Sequence, residues 1–453
     1  MASIAVSRMT LLKGLINTLP PAPLRSLEMA LGMTNDALLI EVRALVTAEI
    51  ETRHLRDSVF LPFTPMFEAR ADGLDAMRFP RWLLYRLWSW LEQNQAPLCT
   101  EAAQALRVLR TEDPTPVVFF RLVKAAADIC REAPQDIAPV NGAETDMVTV
   151  GEFAAYLDLH RLMRQTLARL PEFLGRMDAE KAAALRVMFG DASALDPASG
   201  YRFLELIFAN LEDGAQIIKF VATVSDRPKD RFLAESEMAI FGERILDQIE
   251  ARIGVLKHDM EDRHGDNLDK AAEQVAQGFG QLQAFEHYIE LSRDGLWGKR
   301  VMAARQHLAA LVEQPLNGAE KLLEQALIMK NERRNGRIKR EVPDLERLPD
   351  AVLEARIRQT LGFIGKARPI ANMGGFLTLH TKVAQALEAY MDAWFAELLS
   401  LANSDEPADM VLVMRGFDLV TDLMALSCGD EKAQTARRRV ASCERLKPAR
   451  SVA

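Results

Sequence analysis

Cysteine is scarce in this sequence. The four residues Cys99, Cys130, Cys428 and Cys443, in a chain of 453, show no CxxC spacing. That excludes a disulfide framework and a zinc site of the usual ligand spacing, and reduced thiols in a cytoplasm are expected. Histidine is scarce too, with 7 residues, so a metal centre has few nitrogen ligands to draw on. No run of 18 apolar residues occurs, and Arg8 and Lys13 interrupt the apolar runs near the N-terminus. No membrane span and no secretory leader are therefore expected. There is no basic surplus either. The net charge of −8 favours solubility and argues against nucleic acid as the main partner. GxSxG is missing. Gly362-x-x-Gly365-Lys366-Ala367 is two residues short of a P-loop and lacks the following Ser or Thr.

What the chain does have is helical periodicity. Phe241, Ile245, Ile249, Ile253, Leu256 and Met260 follow one another at spacings of 3 or 4, and so do Leu268, Ala271, Val275, Phe279, Leu282, Phe285 and Ile289. Each set draws one apolar stripe down one helix. Gly265-Asp266-Asn267 between them offers a C′ glycine and a new N-cap. Pairing 245 with 285, 249 with 282, 253 with 279, 256 with 275 and 260 with 271 keeps one register throughout. The reading is a long antiparallel helical hairpin over about 226–294, closed by a coiled-coil-like seam, with arms of roughly 30 residues and about 45 Å. The fold class expected is all-α, a multi-helix bundle protein. Three domains are expected, 1–135, 147–330 and 345–453, with the loop after Pro134 as one boundary.

Helices are also expected near 7–19, 24–31 and 35–50, then from 96 to 134, 150–175, 178–189, 198–211 and 213–224. Beyond the hairpin come 296–313, 317–330, 350–366, 376–400 and 406–427. The tail from Asp430 is expected to fray. Helix, Gly32, helix near the N-terminus invites a helix-turn-helix reading. The second helix, Asp36-Ala37-Leu38-Leu39-Ile40-Glu41-Val42, is apolar and acidic and offers phosphates little. Ordinary helical packing is expected there.

Residues 59–91 hold eight of the 30 aromatics (20 Phe, 5 Trp, 5 Tyr). Phe60, Phe63, Trp82, Tyr85, Trp88 and Trp90 are either the core of the N-terminal domain or a surface for a partner or a second copy, since Trp, Tyr and Arg dominate binding hot spots. Lys330–Arg340 carries six basic residues and one acid. It reads as an exposed linker or solvated helix end, and Arg333, Arg334, Arg337, Lys339 and Arg340 form a candidate anion patch. At the hairpin tip, His258, Glu261 and His264 could touch a metal, because Glu261-x-x-His264 has di-iron spacing and Glu51-x-x-His54 repeats it. The two copies lie over 200 residues apart, so a solvated acidic tip is the simpler reading. His160 could carry a phosphoryl group only on residue type, and His380 shares a stripe with Phe376, Val383, Leu387, Tyr390 and Trp394, which reads as core.

No cofactor is implied and no catalytic set assembles in the sequence. The expected function is a cytoplasmic helical scaffold or adaptor acting through another protein or self-association. The alternatives are a small-molecule or metal-binding helical enzyme or sensor with a pocket between helices, and a nucleic-acid or anionic-membrane binder through 330–340 and 437–450.

Overall fold

The computed structural model describes residues 21–34, 36–110, 112–139, 142–225, 227–261, 268–334, 338–404 and 409–443, with isolated positions before residue 21. Among the described residues it is 80% helical with one two-stranded sheet, an all-α multi-helix protein. The chain divides into two compact units, Met1–Asp226 and Arg227–Ala453.

The first unit opens on α1 (Pro21–Gly32) and α2 (Ala37–Val59). Asp36 caps α2 by accepting from Leu38 N at 2.8 Å. The two helices share a small core of their own, Leu24, Leu31 and Val46 with Ile16. A proline-broken loop follows, then α3 (Arg81–Asn94), α4 (Ala96–Val108), α5 (Val117–Glu132) and the short α6 (Pro134–Ile137). The stretch expected as one helix over 150–175 is two, α7 (Glu144–Leu157) and α8 (His160–Leu174), broken at Asp158-Leu159. The loop at 60–79 wraps α7 because its aromatics need cover. Phe63, Phe67 and Phe79 all set their rings edge-on to Phe153, at 5.9, 5.4 and 4.8 Å. The loop is stapled by Arg70, which donates to Leu211 O at 3.0 Å, and by Asp72, which accepts from Gly214 N at 2.8 Å.

The unit closes with α9 (Ala179–Leu195), α10 (Ser199–Asn210) and α11 (Ile217–Val224). Lys219 in α11 is buried and donates to Leu174 O at 3.2 Å and to Gly175 O, capping the open carbonyls of α8. Replacing it with Met keeps the packing stem and strands those carbonyls. Lys219→Met is expected to cost about 1–3 kcal/mol, read by urea denaturation; an unchanged midpoint would mean water serves the carbonyls as well.

In the second unit, short α12 (Asp230–Ala234) leads into α13 (Ala239–Glu261) and α14 (Leu268–Tyr288). These are the hairpin arms. Ile245, Ile249, Leu256, Val275, Phe279, Leu282 and Phe285 are fully buried, as the two stripes require. Gln281 is bonded by Arg252 at 2.7 Å and donates to Gln248 at 2.9 Å. The expected register pairs 281 with 250, midway between those two partners. The arms have 23 and 21 residues, shorter than expected, because the chain turns at Ser236–Met238 and breaks after Tyr288. The turn at 262–267 lies outside the described residues.

α15 (Leu296–Ala326) packs on both arms. It runs unbroken through Pro315, where two helices were expected. Leu308, Val312, Leu316, Ala319 and Leu323 bury one continuous face across the proline, and that burial outweighs one lost helical hydrogen bond. After it, Lys330–Arg340 is no linker or helix end. β1 (Met329–Arg334) pairs antiparallel with β2 (Ile338–Pro343), Lys330 opposite Val342 and Arg333 opposite Lys339. Asn335-Gly336 between them is the hairpin signal the charge count hid. The unit ends in α16 (Ala351–Ala367), α17 (Ala371–Gly374), α18 (Leu377–Asn403), α19 (Met410–Cys428) and α20 (Asp430–Ala441). α20 corrects the frayed tail: Ala433 and Ala436 are buried, Lys432 bonds Asp392 at 2.6 Å, and Arg437 bonds Asp422 at 2.8 Å.

Candidate functional site

The aromatic segment is mostly interior. Phe60, Phe63 and Trp88 are buried, Trp82 and Trp90 half-buried, and Tyr85 exposed. Phe60 packs edge-on against Trp88 at 6.3 Å. Tyr85 and Trp88 line one wall of a recess of about 240 Å³ with Glu49 and Arg56 of α2 and Glu92 of α3. Glu92 accepts from Trp88 Nε1 at 2.9 Å. Burial, and then the nearby Glu49 carboxylate, hold the Glu92 carboxyl above its ordinary range.

Exposed apolar side chains of this unit also occur around the tip where α1 turns into α2. Met33 is 90% exposed, Met29 66% and Ile40 51%, with Leu38 and Leu39 beside them. Ordinary packing was expected here and it occurs from Val42 onward, while Leu38, Leu39 and Ile40 ahead of it stay exposed, as the register of the pair explains. Thr47 bonds Glu28 at 3.0 Å and Gly32 sits beside Arg43. On that register α1 ends level with Arg43, so the first turn of α2 runs past it. The stripe of Leu39, Val42, Val46 and Ile50 continues in sequence beyond the helix that covers it. Sequence periodicity finds the stripe; only the length of the neighbouring helix shows where its cover stops.

The remaining candidates fall apart or are already engaged. Near the hairpin turn, His258 is exposed, while the Glu261 side chain and His264 lie outside the described residues. Glu51 and His54 are exposed on α2. Among the described residues no three His, Cys, Asp or Glu side chains are placed to hold a metal. Of the basic set, Arg340 is held by Glu397 at 2.6 Å and Ser400 at 2.5 Å. Arg337 and the side chains of Arg333, Arg334 and Lys339 lie outside the described residues. Gly362–Lys366 is continuous helix within α16. Gly375, at φ 78°, ends α17 and turns the chain, with Gly374 against the Phe376 ring. His380 is buried with Nε2 2.9 Å from Ile364 O, a core histidine.

His160 is more unusual. It is 3% exposed at the start of α8, with Phe63 and Phe120 rings at 5.8 and 5.3 Å. Its Nε2 lies 3.0 Å from Val59 O and 3.3 Å from Arg164 Nε. A carbonyl only accepts, so the shorter contact puts the proton on Nε2, and the longer approach of Arg164 is not a hydrogen bond. Nδ1 is buried with no protein partner. Burial first, and then the charge on Arg164, pull the imidazole pKa down to about 3. Burial also lowers Arg164, to about 10, and Arg164 spends its guanidinium on Ser58 O and Val59 O at the end of α2. A buried neutral ring whose unpartnered nitrogen carries no proton can only accept a hydrogen bond there, and it is poorly placed for phosphoryl transfer.

Among the described residues no helix is long and apolar enough to cross a membrane. Compared with known proteins, the chain matches no family model, no curated protein and no solved structure.

Proposed function

We propose that this chain is a helical adaptor whose α1–α2 tip holds an amphipathic helix of another protein. The observation that supports this reading is the exposure of Met29, Met33, Leu38, Leu39 and Ile40 at the facing ends of α1 and α2. Isolated exposed apolar residues are ordinary on soluble proteins, whereas a clustered set marks an interaction surface. Two of the five are methionines, whose unbranched side chains adapt to a partner helix. Glu41 and Arg43 follow the exposed residues on α2 and add charge of both signs near them. The private core of Leu24, Leu31 and Val46 fixes the tip before any partner arrives, so binding would cost little ordering. The four free cysteines fit a reducing compartment, and a cytoplasmic adaptor is the reading adopted.

The test uses Met33→Asp together with Ile40→Asp. Both side chains are exposed, so the thermal melt should stay within about 1 kcal/mol of the parent. Affinity purification from the native cell, run on both chains side by side, should retain a partner with the parent and lose it with the variant. An identical set of retained proteins rejects the tip. Sedimentation that shows a concentration-dependent dimer, abolished by the variant, would replace the adaptor with self-association.

A further inference from the structure

Helix α9 is apolar on two opposite sides. Leu185 and Ala192 are buried, where the helix packs on α10 and α11. Ala183, Val187, Gly190 and Ala194 lie about half a turn round from them and are exposed, Val187 to 62%. A surface helix ordinarily turns charge toward water, and one that is apolar all round is covered all round. Between Ala183 and Leu195 the charged residues are Arg186 and Asp191. Both are exposed, and they stand on opposite edges of the outer face. Arg186 donates Nε to Thr223 O at 2.8 Å. Neither residue makes an ion pair among the described residues. A Cβ on Gly190 would meet nothing within 4 Å, so the face is open at its middle.

The spacing and the two charges together restrict what can cover this face. Steps of 4, 3 and 4 residues are those of a heptad seam, with Ala183 and Gly190 at d and Val187 and Ala194 at a. Arg186 then falls at g and Asp191 at e. When two such helices run parallel, g of one meets the e five residues further on in the other, so Arg186 meets Asp191 of a second copy and the two-fold repeats the pair. An antiparallel arrangement sets g beside g and e beside e, which answers neither charge. An unrelated helix would have to carry both matching charges by its own sequence, whereas a second copy carries them already. The seam is short, about three turns: Glu180 would meet its own copy one turn earlier, and the helix ends at Leu195. We propose that two copies of this chain associate in parallel through α9, with Val187 and Gly190 at the centre of the seam and reciprocal Arg186–Asp191 ion pairs at its edges. The pairing uses neither α1 nor α2 and does not depend on the adaptor reading.

The test is sedimentation of the full chain from about 1 to 500 µM, a range that brackets the roughly 10–100 µM dissociation constant expected of so small an interface. The parent should pass from monomer to dimer across it. Val187→Asp places like charges face to face at the seam and should abolish the dimer; the side chain is exposed, so the thermal melt should not move. Asp191→Arg sets arginine against arginine at both edges and should weaken the dimer about tenfold, and adding Arg186→Glu should restore the parental affinity. Restoration by the charge swap is specific to the parallel register and is not expected of a merely folded helix. A parent that stays monomeric throughout, a dimer that survives Val187→Asp, or a charge swap that restores nothing would each overturn the pairing. So would a dimer that Met33→Asp with Ile40→Asp abolishes and Val187→Asp spares, since it would belong to the α1–α2 tip.

Discussion

Gly298→Ala is expected to unfold the second unit, at a cost above about 4 kcal/mol, the range reserved for backbone conflicts and stranded buried groups. The reason lies at the start of α15. Gly295 occupies the N-cap position and has no side-chain oxygen to offer the first amides. Asp230, far earlier in the chain and buried, supplies the missing acceptor: its carboxylate takes Trp297 N at 3.1 Å and Gly298 N at 2.9 Å. To let that carboxylate in, the backbone folds so tightly that a Cβ on Gly298 would overlap the Ser292 carbonyl oxygen, and one on Gly295 would overlap Asp230 itself. The obstacle at 298 is backbone, which cannot swing aside as a flexible side chain would. Trp297, fully buried, is locked between these two demands. Its indole donates to Glu243 at 2.7 Å and its ring meets Phe285 edge-on at 5.7 Å. The same helix supplies the control: a Cβ on Gly318 meets nothing within 4 Å, so Gly318→Ala should stabilise by about 0.5–1 kcal/mol. Hydrogen exchange resolved by peptide would read both. Loss of protection across 230–326 in Gly298→Ala, with Gly318→Ala at or above the parent, is the expected pattern. Equal protection in the two variants would mean that the turn at 292–298 relaxes freely.

The contrast between α13–α14 and that turn shows what sequence makes visible. The two stripes carried their register in their spacings, and Gln281 lies between Gln248 and Arg252 as that register requires. Local periodicity is a property of neighbours three and four apart, so it survives without a tertiary context. Asp230 capping a helix 65 residues on has no such local trace. Pro315 misled in the opposite direction, since a strong local breaker was overruled by a buried face that only packing reveals. At Lys330–Arg340 the count of charges masked an Asn-Gly turn signal between what proved to be two strands. The proposed surface was harder to see. Aromatic density left Phe60, Phe63 and Trp88 as core or interface, and they fold inward, because large rings bury the most apolar area and are claimed first by a core. The exposed tip depends on where α1 stops, which composition cannot register.

Acid should weaken the first unit through His160, and the sign follows from its burial. The folded pKa of about 3 stands below the 6.5 of the unfolded chain, so between these values the unfolded state binds the extra proton. Stability is therefore fully present above pH 6.5 and falls as pH drops toward 3. At 1.36 kcal/mol per unit the loss should reach about 2–3 kcal/mol by pH 4.5, and about 5 kcal/mol at the lower limit. The surroundings reinforce the direction. On its own helix are Arg164, which approaches Nε2, and Arg161; from α5 come Lys124, Asp128 and Arg131, and from the end of α7 Asp158, all but Arg164 lining one recess with His160. Asp128 and Asp158 are both engaged with Arg131, which leaves the positive groups to oppose an imidazolium. His160→Phe keeps the ring shape between Phe63 and Phe120 and removes the titrating group. Urea denaturation of both chains at pH 7 and 4.5 isolates the His160 contribution, since carboxylates that begin to titrate over that interval do so in both. The parent should lose about 2–3 kcal/mol more than the variant over that interval. Identical losses would place the acid sensitivity in other groups and would mean that the His160 ring is hydrated well enough to charge in place.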